Sequence, residues 1–225
     1  MMRGFKIWMV LGGGLGLLLG MGGRADAGPV SIVNASFEAD PTSFFTSLTP
    51  TGWNFLSGGG GVFRPASANN GGNGNFMDIT QFPSGAPDGI QVAFVQGGSI
   101  LSQVTSTAAV VGRSYTLDVW AGTQNNFGSS SPFSVGLYDG GTAIASFSGI
   151  GPYGSYQEVV ITGVGRGLGN LEVRLTAVRQ TLFDSARLTD NGVVPVPEPS
   201  TLALGFLGAA GTLGVVRRRR KAVSV

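Results

Sequence analysis

Alternation of apolar and polar side chains constrains the fold of this chain more than any other feature of its sequence. In residues 114–122, SYTLDVWAG, every second side chain is apolar. Residues 133–147, FSVGLYDGGTAIASF, show the same period on both sides of an Asp-Gly-Gly turn. A period of two is typical of strands with one face in a core, and the turn predicts a hairpin. The sequence therefore predicts strands rather than helices in this part of the chain.

The same pattern extends over residues 28–192. No amphipathic helix stands out, and the 39 glycines of the chain also disfavour a helical bundle. Further strands are predicted at residues 31–37, 76–79, 91–95, 100–105, 156–162, 171–178 and 182–188. Many short strands with frequent turns predict an all-β fold, a two-sheet antiparallel sandwich. The glycine- and asparagine-rich stretches 57–61 and 67–75 are predicted to be surface loops, either mobile or ordered by a ligand or ion.

Charge and composition exclude several classes of function. Residues 28–192 contain six arginines and no lysine against ten acidic residues, so their net charge is −4. Nucleic-acid binding needs clustered cations, so no nucleic-acid partner is expected. The chain has no cysteine and no histidine, which excludes disulfides, thiolate metal sites and mechanisms that use histidine.

The N-terminus has the three parts of a secretory signal peptide in order. Arg3 and Lys6 precede an apolar run over residues 7–21, and Ala25-Asp26-Ala27 is an A-x-A cleavage signature. We therefore expect residues 1–27 to be a signal peptide that is removed after Ala27. The alternative is an uncleaved membrane helix, for which the run is short and rich in glycine.

The C-terminus also has three parts. Residues 193–200 form a proline-rich linker, and residues 201–216 are uncharged and predict a single short transmembrane helix. Residues 217–225 begin with four arginines and a lysine, which the positive-inside bias would hold in the cytoplasm. Glycines at every third position from Gly205 to Gly214 would let another membrane helix approach closely.

These three parts resemble a PEP-CTERM sorting signal. The matching residues are Val196, Pro197, Glu198, Pro199, Ser200 and Thr201, followed by the apolar helix and by Arg217, Arg218, Arg219 and Arg220. The resemblance implies an exosortase as partner, a membrane enzyme that cuts near the Pro-Glu-Pro motif. It also implies export, transient anchoring in the inner membrane with a cytoplasmic tail, and delivery to the cell surface or the extracellular matrix.

The order of motifs in the body resembles a galactose-binding-domain-like jelly roll, the fold of many carbohydrate-binding modules. It runs from NASFEAD through APDGIQVAF and VGRSYTLDVWAG to LFDSARLT. The resemblance implies one structural calcium, held at the matching positions Glu38 and Asp184. Calcium needs six to eight oxygen ligands, so backbone carbonyls, Asn34, Asp40 or water would have to complete such a site. The two carboxylates could instead cap turns or pair with Arg187.

A glycan-binding surface needs exposed aromatic rings beside polar groups. Trp120, Tyr138 and Asp118 all point opposite to core positions, so we expect one sheet face to display them. The alternatives are that these aromatic residues only pack, or that loops at one edge bind, with Phe63, Phe82 and Tyr153.

Two functions remain open at this point. In the first, the exported protein binds glycan or exopolysaccharide through its sandwich. In the second, it is a structural protein of the biofilm matrix or envelope with no specific ligand site. Catalysis is not expected, because nothing in the sequence marks any two of its carboxylates as a pair.

Overall fold

The computed structural model describes residues 27–43, 45–65, 85–123 and 131–194. These residues contain no α-helix, and a search of them for a helix of membrane-spanning length and hydropathy finds none. Several predicted features lie outside the described residues: Ala25 with most of the signal peptide, strand 76–79, loop 67–75, Phe82, and the sorting signal with its helix and basic tail.

Ten strands make up the described body. They are β1 (Gly28–Val30), β2 (Phe45–Thr46), β3 (Asn54–Phe63), β4 (Val92–Ala108), β5 (Arg113–Gly122), β6 (Pro132–Asp139), β7 (Thr142–Ile150), β8 (Tyr156–Val164), β9 (Asn170–Ala177) and β10 (Gln180–Val193).

The strands form two antiparallel sheets that share β4, in the order β7-β6-β9-β4-β10-β5-β8. The first part of β4 pairs with β10, from Ala93↔Phe183 to Gln96↔Gln180. Its second part, from Ser99 onward, pairs with β9 instead. The change of sheet falls at Gly97 and Gly98, whose φ angles of 66° and 79° are strained for residues with a side chain. We name the sheets by their strands: the β6 sheet (β7-β6-β9-β4) and the β5 sheet (β4-β10-β5-β8).

The core lies between the two sheets. Each strand contributes alternate side chains, as in Leu117 and Val119 of β5. Phe133 of the β6 sheet meets Phe183 of the β5 sheet edge to face, with ring centroids 5.9 Å apart. Burial of such side chains stabilises the fold by roughly 1.5–3 kcal/mol each. The predicted all-β, two-sheet jelly-roll sandwich is confirmed.

A second, smaller cluster packs outside the sandwich. Phe63, Val92, Phe94 and Leu182 form it, with Tyr156 packed against them. The ladder pairs Tyr156 with Gly122, and in antiparallel sheets paired residues share a face. Part of the outer face of the β5 sheet is therefore covered.

Two predictions about individual segments are wrong. Residues 57–61 are not a surface loop but part of β3, which pairs with β4. A side chain at Gly60 would overlap the carbonyl of Phe94, so glycine here permits close packing. Residues 31–37 are not a strand but a series of turns, in which Asn34 has a φ of 51° and accepts the Ala39 N–H at 3.0 Å.

Candidate functional site

The three predicted glycan-binding residues do not share one face. Trp120 and Asp118 lie on β5, and Tyr138 lies on β6. These strands belong to different sheets, so Tyr138 lies on the opposite outer surface of the sandwich. The alternation that placed each side chain outside its own sheet is right, because the neighbouring Leu117 and Leu137 are fully buried. Alternation shows which way a side chain points, but not to which sheet its strand belongs.

Trp120 and Asp118 lie beside a second carboxyl group. In the ladder Trp120 pairs with Glu158 of β8, and Asp118 pairs with Arg187 of β10. The charge of Asp118, together with a hydrogen bond between the two carboxyls, raises the pKa of Glu158, and Arg187 acts in the opposite direction. We call Trp120, Asp118, Glu158 and Arg187 the Trp120 cluster. It combines a partly buried indole, two adjacent carboxyls and one cation.

One carboxyl oxygen of Asp118 is unpaired in the described part of the structure. Its Oδ1 atom is shielded from solvent and has no hydrogen-bond partner among the described residues. Buried polar atoms are usually paired, and an unpaired one costs about 1–3 kcal/mol. A sugar hydroxyl would reach this acceptor only after the side chains that shield it moved aside.

Tyr138 belongs to a different network. The guanidinium carbon of Arg174 lies 4.1 Å from the centre of its ring, and the ring edge lies over Gly136. Arg174 also donates to Glu172 at 2.8 and 2.9 Å, and Ser102 donates to the same carboxylate at 2.5 Å. Burial works to raise the pKa of Glu172, but the bonds from Arg174 and Ser102 outweigh it and lower that pKa. One face of the Tyr138 ring is thus already covered by Arg174.

The predicted calcium residues are brought together by the segment 88–91. Glu38 accepts the N–H groups of Ile90 and Gln91, each at 2.7 Å. Asp184 accepts the N–H of Asp88 at 2.8 Å. The two carboxylates therefore act as turn caps, which is one of the alternatives that the sequence leaves open.

Asp184 is the most perturbed carboxyl of this region. It is fully buried; burial raises its pKa to about 8, and the charges of Asp88 and Glu38 add to the rise. Burial, and next the charge of Asp184, raise the pKa of Tyr156 as well. Among the described residues this acidic set forms one ion pair, between Arg187 Nη2 and Asp88 Oδ2 at 4.0 Å, and Arg187 is well exposed. No group of three or more possible metal-ligating side chains is found in the described part of the chain.

The two predicted sites are neighbours. Trp120 pairs with Asp184 in the ladder between β5 and β10, so both lie on the outer face of the β5 sheet. The ladder skips one residue between Asp184 and Arg187, and Ser185 there has a φ of 51°. This bulge lets Asp184 face Trp120 and Arg187 face Asp118. Sequence reasoning did not place Glu158 and Arg187 beside Trp120, because it cannot supply the register of β8 and β10.

The other candidate surfaces differ in exposure. Phe63, predicted as a possible edge-loop residue, is fully buried, whereas Tyr153 is exposed. A shallow groove of about 610 Å³ lies where β4 changes sheet, and Gln96, Ser99 and Gln180 are among its lining residues. Its lining residues are glycines and polar side chains, and none of them is aromatic.

Several solved structures are similar to this one. TmCBM61, determined in complex with β-1,4-galactotriose, has a TM-score of 0.46 at 14% identity and covers 71% of this chain and 97% of its own. The CBM22-1 xylan-binding domain of Paenibacillus barcinonensis Xyn10C gives 0.44 at 13% identity, covering 71% and 94%. The C-terminal family 22 carbohydrate-binding module of Clostridium thermocellum Xyn10B gives 0.43 at 15% identity, covering 73% and 100%. Likeness at this level concerns the fold alone.

No curated protein matches the chain, but two protein families do. Residues 195–221 match the PEP-CTERM protein-sorting motif, as the order of proline motif, apolar run and arginines predicts. Residues 28–189, which include β1 and most of β10, match the family described as HpiC1 cyclase. The sandwich, with the Trp120 cluster and the carboxylates around Asp184 on one face, therefore belongs to the HpiC1 cyclase family, in a chain that ends in a PEP-CTERM sorting motif.

Proposed function

We propose that the sandwich binds glycan on the outer face of the β5 sheet, at the Trp120 cluster. The pairing of Trp120 with Glu158, with Asp118 two residues away on the same face of β5, is the observation that carries the proposal. An indole supplies an apolar surface for the C–H face of a pyranose ring, and carboxylates accept hydrogen bonds from its hydroxyls. The cluster therefore contains both kinds of group that a sugar site requires.

The other surfaces offer less to a sugar. The ring of Tyr138 is covered by Arg174, so a sugar would have to displace a cation–π contact before it could stack. The groove at Gln96 offers amides without an aromatic ring. Tyr153 is exposed, but the described residues place no charged side chain in a hydrogen bond or ion pair with it.

Affinity electrophoresis of the purified protein in the exopolysaccharide of its own cells tests the proposal. We expect Trp120→Ala to lower retention at least tenfold while the near-ultraviolet circular dichroism stays native. Tyr138→Ala, on the opposite sheet, and Gln96→Ala, in the groove, are the matched controls and should bind like the wild type. If Trp120→Ala binds normally and Gln96→Ala does not, the site is the groove.

Absence of retention on every polysaccharide tried would favour the alternative function. The protein would then be a structural component of the biofilm matrix or envelope without a specific ligand site. Since that alternative needs no cluster of this kind, the two functions make opposite predictions for Trp120→Ala.

We also propose that the protein is an exosortase substrate that is exported and released from its membrane anchor. The match of residues 195–221 to the sorting motif supports this. In this proposal residues 201–216 hold the protein transiently in the inner membrane with the basic tail in the cytoplasm, and processing sends the body to the cell surface or matrix. Intact-mass analysis of released protein should show loss of the residues after Pro199. Protein that still carries Arg217–Arg220 would indicate a permanent anchor.

A structural calcium is a further proposal for the acidic set beside the cluster. Glu38 and Asp184 offer oxygen ligands, as calcium prefers, and backbone carbonyls or water would have to complete the site. A fully buried carboxyl among like charges would gain from a dication. Because Glu38 and Asp184 already fix segment 88–91 by its N–H groups, the ion would tighten that segment against the Trp120 face. Calcium should raise the melting temperature of the wild type and of Glu158→Gln, but not of Asp184→Asn. Equal shifts of the melting temperature in all three proteins would contradict a calcium site at Asp184.

We propose binding rather than catalysis for this member of a family whose name denotes a cyclase. Acid catalysis would need a carboxyl that keeps its proton near neutral pH and reaches the substrate. Asp184, with a pKa of about 8, meets the first condition. It is fully buried, however, and so does not meet the second.

A further inference from the structure

One end of the sandwich carries exposed apolar side chains on three chain segments that meet there. We call this end the apolar pole. Its side chains are between 40% and 71% exposed, and they are Val110, Val111, Val164, Leu168, Val193 and Val194. Single exposed apolar residues are ordinary, but a contiguous group of them marks an interaction surface.

Backbone hydrogen bonds make the apolar pole one surface. The N–H of Val194 donates to the carbonyl of Gly112 at 3.0 Å, and the N–H of Gly112 donates to the carbonyl of Gly165 at 3.0 Å. The side chain of Val111 lies 2.9 Å from the position that a β-carbon on Gly167 would take. The three segments are therefore fixed side by side.

Asp139 orders the turn that presents Leu168. Its carboxylate, which is fully buried, accepts the N–H groups of Arg166 at 2.7 Å, Leu168 at 2.9 Å and Gly169 at 2.8 Å. These bonds hold the turn in one conformation, so the fold itself fixes Leu168 in an exposed position.

Both ends of the body leave from the apolar pole. Gly28 of β1 pairs with Asp190 of β10, and three residues later Val193 pairs with Arg113. The described chain ends at Val194. Six residues separate Val194 from the apolar segment that begins at Thr201, and six extended residues span at most about 20 Å.

The length of the C-terminal apolar segment would bring the apolar pole closer still. Sixteen residues form a helix of about 24 Å, whereas the hydrocarbon core of a bilayer is about 30 Å thick. A segment of this length draws its flanking residues toward the membrane. The linker of residues 195–200 would therefore be pulled into the interface, and the body would follow it.

The charges at the apolar pole do not oppose an anionic surface. Asp190 is paired with Arg113 at 2.9 Å, and Asp139 is buried under three N–H groups. Arg166, in the exposed turn, takes part in none of the ion pairs formed by the described residues.

We propose that the apolar pole docks onto the outer surface of the bilayer while the C-terminal segment is inserted. Val111, Leu168 and Val193 enter the region between head groups and acyl chains, and Arg166 lies at head-group level. The body then lies against the membrane in a fixed orientation, with the linker held at the lipid surface.

The absence of cysteine from the chain permits a direct test. Val111→Cys places a single bimane label at the apolar pole, and Val178→Cys places it beyond the far end of β9, at a site 58% exposed. Each protein, with its C-terminal segment intact, is reconstituted into vesicles of phosphatidylethanolamine and phosphatidylglycerol at a ratio of about 3:1, chosen to give the anionic surface of a bacterial membrane. We expect lipid-borne doxyl groups to quench the label at residue 111 at least threefold more than the label at residue 178.

Two results would overturn the proposal. One is equal quenching of the two labels. The other is a label at residue 111 that is shielded from solvent in the absence of vesicles, to a degree that rises with protein concentration. That result would assign the apolar pole to contact between two copies of the protein. Adding Leu168→Glu to the protein labelled at residue 111 should lower the quenching, and an unchanged value would also count against docking. None of these measurements depends on glycan binding.

Discussion

Arg174 stacks on Tyr138, with its guanidinium carbon 4.1 Å from the ring centre. The same guanidinium forms two hydrogen bonds to Glu172, which is almost fully buried. Arg174 thus covers the ring of Tyr138 and neutralises the buried carboxylate of Glu172. The polar groups around Tyr138 are therefore already paired with one another. On the outer face of the β5 sheet, by contrast, Asp118 Oδ1 has no hydrogen-bond partner among the described residues.

Removal of Arg174 should reverse the pKa shift of Glu172. In Arg174→Ala, burial, the largest influence, continues to raise the pKa of Glu172. The two hydrogen bonds from Arg174 are gone, and only the weaker effect of the Ser102 bond still lowers that pKa. We expect the pKa of Glu172 to move from below its ordinary value to above it, as measured by carbon NMR of the carboxyl group. Arg187→Ala, which removes an exposed arginine from the other sheet, should not move it. A shift of the same size in both variants would contradict the assigned cause.

Alanine substitutions at neighbouring glycines of β3 should differ sharply. A β-carbon at Gly60 would overlap the Phe94 carbonyl and lie 2.9 Å from the Phe55 ring, whereas one at Gly59 meets nothing within 4 Å. Gly60→Ala should lower the free energy of unfolding by about 1–3 kcal/mol or more. Gly59→Ala should change it by less than about 0.5 kcal/mol. Urea denaturation of both proteins measures this, and equal losses would mean that β3 does not pack as described.

Asp139→Asn should loosen the turn of the apolar pole at an identifiable amide. The carboxylate receives the Arg166 N–H on one oxygen and the N–H groups of Leu168 and Gly169 on the other. An amide side chain has a single acceptor oxygen, so at least one of these donors loses its partner. We expect a loss of about 1–3 kcal/mol in the free energy of unfolding. Hydrogen exchange should accelerate within residues 166–169 and not at Thr176, and uniform acceleration would refute a local role.

Asp184 should make the protein less stable as the pH rises. Its pKa increases from 3.8 to about 8 on folding, so between these values the folded state holds a proton that the unfolded state has lost. The free energy of unfolding then falls with increasing pH, by at most about 1.4 kcal/mol per unit, and levels off above pH 8. Urea denaturation at pH 5 to 8 with a chelator should show this slope in the wild type and not in Asp184→Asn. A slope that persists in the variant would place the titration elsewhere.

The sequence predicted the strands of the sandwich better than the relations between them. Alternation identifies β5 and β6 and shows that Leu117 and Leu137 point into the core. It contains no information on the register between strands that are distant in sequence, so it missed the pairing of Trp120 with Glu158. For the same reason Tyr138 was expected beside Trp120, although the two lie on opposite sheets.

Local composition misled where packing decides the conformation. Four consecutive glycines after Ser57 favour a loop by propensity, yet β3 needs glycine at Gly60 and Gly61, because the carbonyls of Phe94 and Thr46 lie where side chains would be. Residues 31–37 look like a strand, but Asn34 stabilises turns through its own side chain. The link between Glu38 and Asp184 was expected from the resemblance alone. It is formed through segment 88–91, which no pattern in the sequence connects to them.

The position of β10 in the sheet has a mechanical consequence. β10 pairs with β5 from Leu182 to Val193 and with β1 on its other side, and the tether to the sorting motif continues directly from its last residue. A pull on Val194 along the strand therefore loads the hydrogen bonds of both ladders together, in shear. They would have to break at once rather than be peeled one after another.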